Sequence, residues 1–259
     1  MKKRRYATKR KNRRKRDVHA KYRNKLVQYR ILRKNGKLKS AMPYTRKYNK
    51  RRLSKGIKKH RSLMLKPYYG RLGRGILRVS KTNGRYVVKS EHVYKRFRKI
   101  KNAHRFVKRR MKGKKYILQK DIRLAKVNGR KFDIRVMVQR YNRRSPWVVT
   151  GMFTRIGYKN EVITNLAWKV SSLKSTLRRS RLNASKKKMN QIKKTCIVGA
   201  KQIAKHHKNC KIIGFDIGLN EQGKVWIIEP NFTPGVYPFR MLKRKNMYRK
   251  IMRYKNRRR

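Results

Sequence analysis

Alternating apolar and polar positions, typical of half-buried β-strands, recur through the middle of the chain. They predict strands in "KKYILQKDIRLA", "KFDIRVMVQRY" and "WVVTGMFTRIG" (residues 114–157), with "NRRSP" as the hairpin loop between the last two. Residues 62–88 predict a strand, a glycine loop, a strand, an Asn-Gly turn and another strand. A further hairpin, "IIGFDIGL" and "KVWIIEPN", is joined by the turn "NEQG".

Helical periodicity is clearest in residues 185–207, where apolar residues recur at spacings of three and four and Ser185 is the expected N-cap. A basic helical segment is expected to end near residue 113, and residues 17–61 alternate helical and irregular stretches. The order of these elements predicts an α+β fold in which most strands are connected by hairpins.

The charge balance is extreme, with 84 Lys and Arg against 8 Asp and Glu, for a formal net charge of +76. Residues 1–16 and 240–259 hold 11 basic residues each, so we expect a disordered basic leader (1–16), a basic tail (241–259) and a highly basic surface. Such a surface binds polyanions through counterion release. Because no recognition helix, zinc-finger spacing or RNA-binding aromatic motif accompanies it, dedicated nucleic-acid recognition remains only an alternative.

We expect neither a secretory signal peptide nor a membrane span. No apolar segment follows the basic N-terminus, and no apolar run reaches the ~18 residues that a membrane span needs. Cys196 and Cys210, the only cysteines, form no CxxC pair, so we expect a reduced, cytoplasmic setting without a zinc site.

Gly70, Gly73 and Gly75 follow the short apolar strand that ends at Lys66. Glycines let backbone N–H groups approach phosphates closely, and the loop matches neither the Walker A nor the Rossmann pattern. A glycine hairpin lying over a triphosphate, with Lys66 reaching in from its strand, fits the pattern. The alternative is an ordinary hairpin tip.

Acidic residues are rare, yet Asp216 and Glu229 lie in one hairpin with Asn231 close behind. With Asn220 placed opposite Gly223, Asp216 and Glu229 share a face as diagonal neighbours. Carboxylate and amide oxygens are the ligands that Mg²⁺ prefers. The hairpin therefore predicts a magnesium site, the alternative being a surface hairpin whose acids pair with lysines.

Two arginines, Arg135 in "FDIRVMVQ" and Arg155 in "FTRIG", alternate with apolar residues on predicted strands. If the alternating apolar residues face the core, these arginines face a cleft, where guanidinium groups suit phosphate binding.

These motifs, in this order, resemble the YheC/YheD family of endospore coat-associated proteins, within the ATP-grasp superfamily. The matching segments span roughly residues 20–240. They are "MPYTRKY", "LMLKPYYGRLGRGI", "YILQKDIRLA", "GRKFDIRVMVQ", "WVVTGMFTRIG", "ITNL" and "GFDIGLNEQGKVWIIEPNFTPG".

The resemblance implies an ATP-grasp fold, with ATP held between an N-terminal lobe (17–113) and a C-terminal lobe (114–240). It implies phosphate contacts from Lys66 and the loop glycines, and adenine contacts from Gln119, Lys120 and Ile122. Arg135 and Arg155 would serve the transferring phosphoryl group. Asp216, Glu229 and Asn231 would hold Mg²⁺.

Members of the superfamily typically phosphorylate a carboxylate to an acyl phosphate, which an amine or a thiol then attacks. The resemblance thus implies an ATP-dependent ligase associated with the spore coat. After "ITNL", where family members generally carry a glycine pair, this chain has "AWKVSSL", a segment expected to shape the acceptor side. A catalytically inactive coat protein that binds polyanions is the alternative, and nucleic-acid binding is a further one.

Overall fold

The structure, a computed structural model, describes residues 19–70, 72–159, 162, 167–180, 182 and 184–256. The predicted leader (1–16) lies outside the described residues, as do "ITNL" (163–166) and the last three residues of the predicted tail.

Seven α-helices and twelve strands are assigned within the described residues. The helices are α1 (Lys25–Arg33), α2 (Lys50–His60), α3 (Ile100–Met111), α4 (Leu173–Arg179), α5 (Lys186–Ala204), α6 (Tyr237–Arg240) and α7 (Asn246–Asn256). Short 3₁₀ helices lie at Lys21–Arg23 and Gly36–Ala41. The strands are β1 (Thr45–Lys47), β2 (Ser62–Pro67), β3 (Leu77–Thr82), β4 (Arg85–Ser90), β5 (Val93–Phe97), β6 (Tyr116–Lys120), β7 (Lys126–Val127), β8 (Arg130–Gln139), β9 (Val148–Gly157), β10 (Ala167–Ser171), β11 (Ile212–Leu219) and β12 (Val225–Asn231).

The first sheet has the strand order β1-β6-β2-β3-β4-β5, and every pairing is antiparallel. Helices α2 and α3 bury apolar residues such as Leu53 and Val107 in one core with Leu63 and Val79 of the sheet. The predicted Asn-Gly turn between β3 and β4 is confirmed, because Asn83 and Gly84 both have positive φ, as a tight hairpin turn requires.

The second sheet has the order β10-β9-β8-β11-β12, with the short β7 paired to β8. Helices α1 and α5 contribute Leu32 and Cys196 to a large core with Phe215 of β11. The predicted helix over 185–207 is confirmed as α5, and the Ser185 side chain accepts a hydrogen bond from the Lys188 N–H as its N-cap. Strands β6, β8 and β9 lie where the alternating pattern predicts them.

The sheets divide the chain differently from the predicted lobes 17–113 and 114–240. Strand β6 belongs to the first sheet, because its Leu118 packs with the α2 and α3 core. Helix α1 packs on the second sheet instead, where the Gln28 side-chain amide donates to the Pro230 carbonyl over 3.2 Å. The chain therefore crosses from one sheet to the other near α1 and again after Lys120.

The expected basic tail (241–259) contains a helix that packs on the second sheet. Helix α7 buries Ile251 against β9, and the Gln139 side-chain amide donates to the Ile251 carbonyl over 3.2 Å. Gly151 of β9 lets this layer approach closely, since a Cβ there would lie 2.6 Å from the Phe239 ring. This very basic helix therefore packs on the sheet through a narrow apolar face formed by Met247, Tyr248 and Ile251.

Candidate functional site

A cavity of about 90 Å³ lies between the two sheets and beneath the glycine loop. Eight of the predicted site residues line it: Lys66, Gly70, Gly73, Gln119, Lys120 and Ile122 from the first sheet and its loops, and Asp216 and Glu229 from the second. Gly75, Arg135, Arg155 and Asn231, which are all described, are not part of its wall. The fold therefore brings together segments that lie up to 163 positions apart in the sequence.

Lys66 points into the cavity from β2 and is only 6% exposed. Its Nζ donates to Gln119 Oε1 over 2.7 Å, and Gln119 Nε2 donates to Thr45 Oγ1 over 3.0 Å. Burial lowers the pKa of Lys66, and the negative charge of Glu229 opposes that shift. The side chain of Gln119, predicted to lie by the adenine, is thus engaged with the lysine.

The glycine loop is attached at both ends. Lys25 Nζ donates to the Gly70 carbonyl over 3.1 Å, and the Tyr116 hydroxyl donates to the Gly75 carbonyl over 3.0 Å. Gly75 has a φ of +76° and lies against Tyr116, so a side chain there would be strained and crowded. The described part of the loop thus forms a fixed turn over Lys66.

The hairpin predicted to hold the two acids forms, but its register differs from the prediction. Ile227 pairs with Ile217, one residue away from the predicted partner. A β-bulge between Asp216 and Ile217 adds a second one-residue shift, so Asp216 lies directly opposite Glu229. The two shifts together move the pairing by two residues, so both acids stay on the same face of the hairpin. The predicted diagonal placement of the acids is therefore wrong, and they pair directly across the strands.

Two like charges directly across a pair of strands repel each other unless neighbours neutralise them. Arg135 Nε lies 2.6 Å from Asp216 Oδ1, and Arg155 Nη2 lies 3.0 Å from Asp216 Oδ2. Burial raises the pKa of Asp216, but Arg155 and Arg135 outweigh it, so the net direction is downward and the carboxylate is ionised. Lys25 Nζ lies 3.5 Å from Glu229 Oε2, which balances the second acid.

Arg155 also binds a second acid, with Nε 2.8 Å from Asp133 Oδ1 and Nη2 2.6 Å from Asp133 Oδ2. Burial alone would lower the pKa of Arg155, but Asp133 and Asp216 raise it well above its usual range. Arg135 and Arg155 pair across the strands with Asp216 and Asp133, so they lie on the same face of the sheet as these carboxylates, although neither arginine is part of the cavity wall.

Asn231, the third predicted metal ligand, pairs with Gly214 near the end of β12. Its Oδ1 accepts a hydrogen bond from the Thr233 N–H over 3.0 Å. It is two residues from Glu229 and therefore on the same face of the strand.

Sequence reasoning missed four charged residues that line the cavity: Lys25, Arg74, Asp121 and Asp133. Asp121 Oδ2 accepts from Ser62 Oγ over 2.8 Å and lies 2.9 Å from Arg78 Nε. Of the eight acids in the chain, four lie on this wall among the described residues. The scarcity of acids was a signal that could have identified both aspartates, whereas nothing distinguishes Lys25 from the many other basic residues.

The suitability of the site for a metal rests on the two paired acids. The described residues contain no group of three His, Cys, Asp or Glu arranged around a metal position. Mg²⁺ commonly needs only one or two carboxylates, with phosphates and water completing the shell. Asp216 has about four acceptor positions, and three arginine contacts leave one on Oδ1. The acids therefore fit a magnesium ion that arrives with phosphate ligands.

A family model described as YheC/D-like ATP-grasp matches residues 18–256. The chain belongs to the YheC/D-like ATP-grasp family. Among relatives, it is 29% identical over 187 residues to the endospore coat-associated protein YheD of Bacillus subtilis (strain 168). That match covers 68% of this chain but 40% of YheD, so the chain spans less than half the length of that relative.

Solved structures with a similar fold include D-alanyl-alanine synthetase A from Vibrio cholerae. The TM-score is 0.55 at 11% identity, over 93% of this chain and 62% of that one. VanG D-Ala:D-Ser ligase from Enterococcus faecalis has a TM-score of 0.52 at 14% identity, over 88% and 57% of the two chains. The predicted α+β ATP-grasp fold is thereby confirmed, as is the family resemblance. None of the described helices of this family member is long and apolar enough to cross a membrane.

Proposed function

We propose that the chain binds ATP together with Mg²⁺ in the cavity between its two sheets. The observation that carries this proposal is the placement of Lys66, a buried cation under a glycine loop, in one cavity with the cross-strand pair Asp216 and Glu229. A triphosphate and its metal need this combination of positive charge, backbone donors and carboxylates within one cleft.

The phosphate end of the nucleotide lies under the glycine loop in this proposal. Lys66 of β2 and Lys25 of α1 supply positive charge, and the N–H groups around Gly70 and Gly73 supply donors. The cavity of about 90 Å³ lies directly beneath this loop, whose two ends are held by Lys25 and Tyr116.

The adenine end lies against the segment that follows β6. The Gln119 side chain is committed to Lys66, so the backbone around Lys120 and Ile122 is left to recognise the base. Apolar side chains that line the cavity there offer a surface for a ring: Met64, Ile122, Leu124 and Ile228.

Magnesium is proposed to bind with the nucleotide rather than before it. Asp216 is already neutralised by Arg135 and Arg155, and Glu229 by Lys25, so a lone Mg²⁺ would meet little net negative charge. Phosphate oxygens supply the missing charge and ligands. Asn231 is the proposed third protein ligand, through its amide oxygen.

The chemistry that we propose is that of a ligase, in which a carboxylate is phosphorylated by ATP and the acyl phosphate is attacked by an amine or a thiol. Bound Mg²⁺ would neutralise charge on the phosphates. Arg135 and Arg155 are held rigidly beside Asp216, so they would stabilise the phosphoryl group in transit without reorganising. By its similarity to YheD, the chain is proposed to associate with the spore coat.

The test is thermal stabilisation by ATP, measured with Mg²⁺ and with a chelator. Wild-type protein is expected to be stabilised only when both ATP and Mg²⁺ are present. Glu229→Gln should lose the magnesium-dependent part, whereas Glu221→Gln, in the exposed turn of the same hairpin, should retain it. Equal stabilisation of both variants would refute the proposed metal site.

A second function, binding of polyanions, is favoured by where the acids lie. Four of the eight line the cavity and Glu91 and Glu221 are exposed, while Asp17 and Glu161 lie outside the described residues. Among the described residues, the charged side chains outside the cavity are therefore almost all basic. Binding to duplex DNA or heparin should weaken steeply with salt and be unchanged by Glu229→Gln. A preference for particular base sequences would instead indicate nucleic-acid recognition.

A further inference from the structure

A line of three buried side chains leads from the first strand of the sheet to the cavity. Thr45, Gln119 and Lys66 are 1%, 5% and 6% exposed. Strand β6 lies between β1 and β2, so Gln119 pairs with Thr45 on one side and with Met64 on the other. This placement puts the Gln119 amide between the Thr45 hydroxyl and the Lys66 ammonium group.

While Lys66 is protonated, the hydrogen bonds along this line can run in only one direction. The Pro43 carbonyl can only accept, so the Thr45 hydroxyl donates its hydrogen there, over 2.9 Å. The Thr45 oxygen then accepts from Gln119 Nε2, over 3.0 Å. The Lys66 ammonium group can only donate, and it donates to Gln119 Oε1, over 2.7 Å. Both ends of the line therefore require the same orientation of the amide.

We propose that Thr45 is a positioning residue, which holds the Gln119 amide so that Lys66 stays protonated and directed at the phosphate-binding end of the cavity. This inference rests on the proposed function for its consequence, but its geometry concerns only the chain itself. It assigns Gln119 to the lysine rather than to the nucleotide base.

Without the Thr45 hydroxyl, the buried Gln119 N–H₂ group would lose its acceptor. A buried donor without a partner is costly, so the amide would turn to find another, and Lys66 would lose its own acceptor. A buried ammonium that loses an acceptor loses its proton more readily.

Other charged groups also act on Lys66. Burial has the largest effect on its pKa and lowers it. The pKa is raised by three acids, Glu229 of β12, Asp216 of β11 and Asp121 after β6, and it is lowered further by Lys25 of α1. These neighbours are unchanged by a substitution at Thr45. The effect of Thr45 on Lys66 is therefore separable from theirs.

The experiment compares the full-length wild type with Thr45→Val and Thr45→Ser, each alone and combined with Gln119→Glu. The first readout needs no nucleotide. It is the pH at which Lys66 begins to react with an amine-modifying reagent, and peptide mass spectrometry measures the extent of modification. The second readout is ATP affinity with Mg²⁺ between pH 6 and pH 9, a range in which the charge of a buried lysine can change.

In Thr45→Val, Lys66 should become reactive at lower pH than in the wild type, whereas Thr45→Ser should resemble the wild type. ATP affinity should fall by about tenfold at the alkaline end and be nearly unchanged at the acid end, because the lost bond involves a charged group. In the Gln119→Glu background, Thr45→Val should have no effect on Lys66, since a carboxylate has no N–H group for Thr45 to accept.

Thr176→Val is the matched control, because it removes another buried threonine hydroxyl, one that contacts Thr154 away from the cavity. If Thr45→Val lowers affinity equally at every pH, as a general loss of structure would, the positioning role is wrong. An unchanged Lys66 titration also overturns it. If the wild type binds no ATP but the Lys66 titration shifts as expected, the proposed function fails while the positioning role stands.

Discussion

Arg135 and Asp216 form a buried ion pair on neighbouring strands, with Arg135 Nε 2.6 Å from Oδ1 and Nη2 3.3 Å from Oδ2. Arg155 Nη2 lies 3.0 Å from the same Oδ2, so one carboxylate contacts two guanidinium groups. Asp216 is therefore a structural residue as well as a proposed metal ligand, whereas Glu229 is more exposed and, among the described residues, forms one longer ion pair, with Lys25.

Asp216→Asn is expected to destabilise the protein strongly even without any ligand. Removing one partner from a buried ion pair leaves uncompensated charge, which costs about 3–5 kcal/mol. Denaturation in urea measures the loss. Glu221→Gln, on the exposed turn of the same hairpin, should change stability by less than about 0.5 kcal/mol. Equal stabilities for the two variants would mean that the buried ion pairs of Asp216 do not stabilise the fold.

The same pair sets an acid limit on stability. Burial raises the pKa of Asp216, but Arg155 and Arg135 outweigh it, so its folded pKa is below the unfolded value of about 3.9. Its contribution is complete above that value and is lost as the pH falls through the folded pKa. Urea midpoints should therefore fall below about pH 4 in the wild type. This part of the pH dependence should be absent from Asp216→Asn.

Gly151→Ala should weaken the docking of the C-terminal helices. A Cβ at Gly151 would lie 2.6 Å from the Phe239 ring and 3.1 Å from Ile251, and such overpacking costs about 1–3 kcal/mol. The midpoint of thermal unfolding measures it. At Gly36, where a Cβ would meet nothing within 4 Å, the same substitution should be neutral or slightly stabilising. A neutral Gly151→Ala would mean that α7 is not packed on β9 as described.

Much of the fold was predictable, because alternation and helical spacing are local properties. The strands β6, β8 and β9 and the helix α5 follow from them directly. The partners of a strand are not local: β6 joins the first sheet because Leu118 fits that core, and no pattern within 114–125 reveals this. The very basic β5 and α7 were missed because their charges mask narrow apolar faces.

The candidate site was predictable where the residue type was rare. Asp216 and Glu229 were identified because acids are scarce, and both line the cavity. Their direct pairing was not predictable, since it depends on a bulge that inserts Ile228 between two ladder positions. Lys25 could not be distinguished in the sequence from the other basic residues, of which there are 84 in all. In the structure it contacts both the Gly70 carbonyl of the glycine loop and the Glu229 carboxylate.

Lys25→Met should loosen the glycine loop. Lys25 Nζ donates to the Gly70 carbonyl and also approaches Glu229, so its removal detaches one end of the loop from the second sheet. Losing a bond of about 1 kcal/mol should raise hydrogen exchange at residues 72–76 about fivefold. Lys34→Met, at the exposed end of the same helix, is the matched control and should leave that exchange unchanged. Unchanged exchange in both variants would mean that Lys25 does not hold the loop.

A protein of net charge +76 attracts any polyphosphate, so the stoichiometry of binding matters as much as its strength. Tripolyphosphate is a suitable competitor, because it carries the charge of the nucleotide without the base. Nonspecific surface binding would take up several ligands per chain, would weaken steeply with salt and would treat the two ligands alike.

Calorimetric titration of ATP into the full chain, with Mg²⁺ and again with a chelator, tests the central claim most directly. We expect one ATP per chain with Mg²⁺, only weak binding with the chelator, and incomplete competition by tripolyphosphate. Glu229→Gln should lose most of the magnesium dependence. Binding of several ATP molecules per chain, at an affinity that neither the chelator nor Glu229→Gln alters, would contradict a nucleotide site between the two sheets.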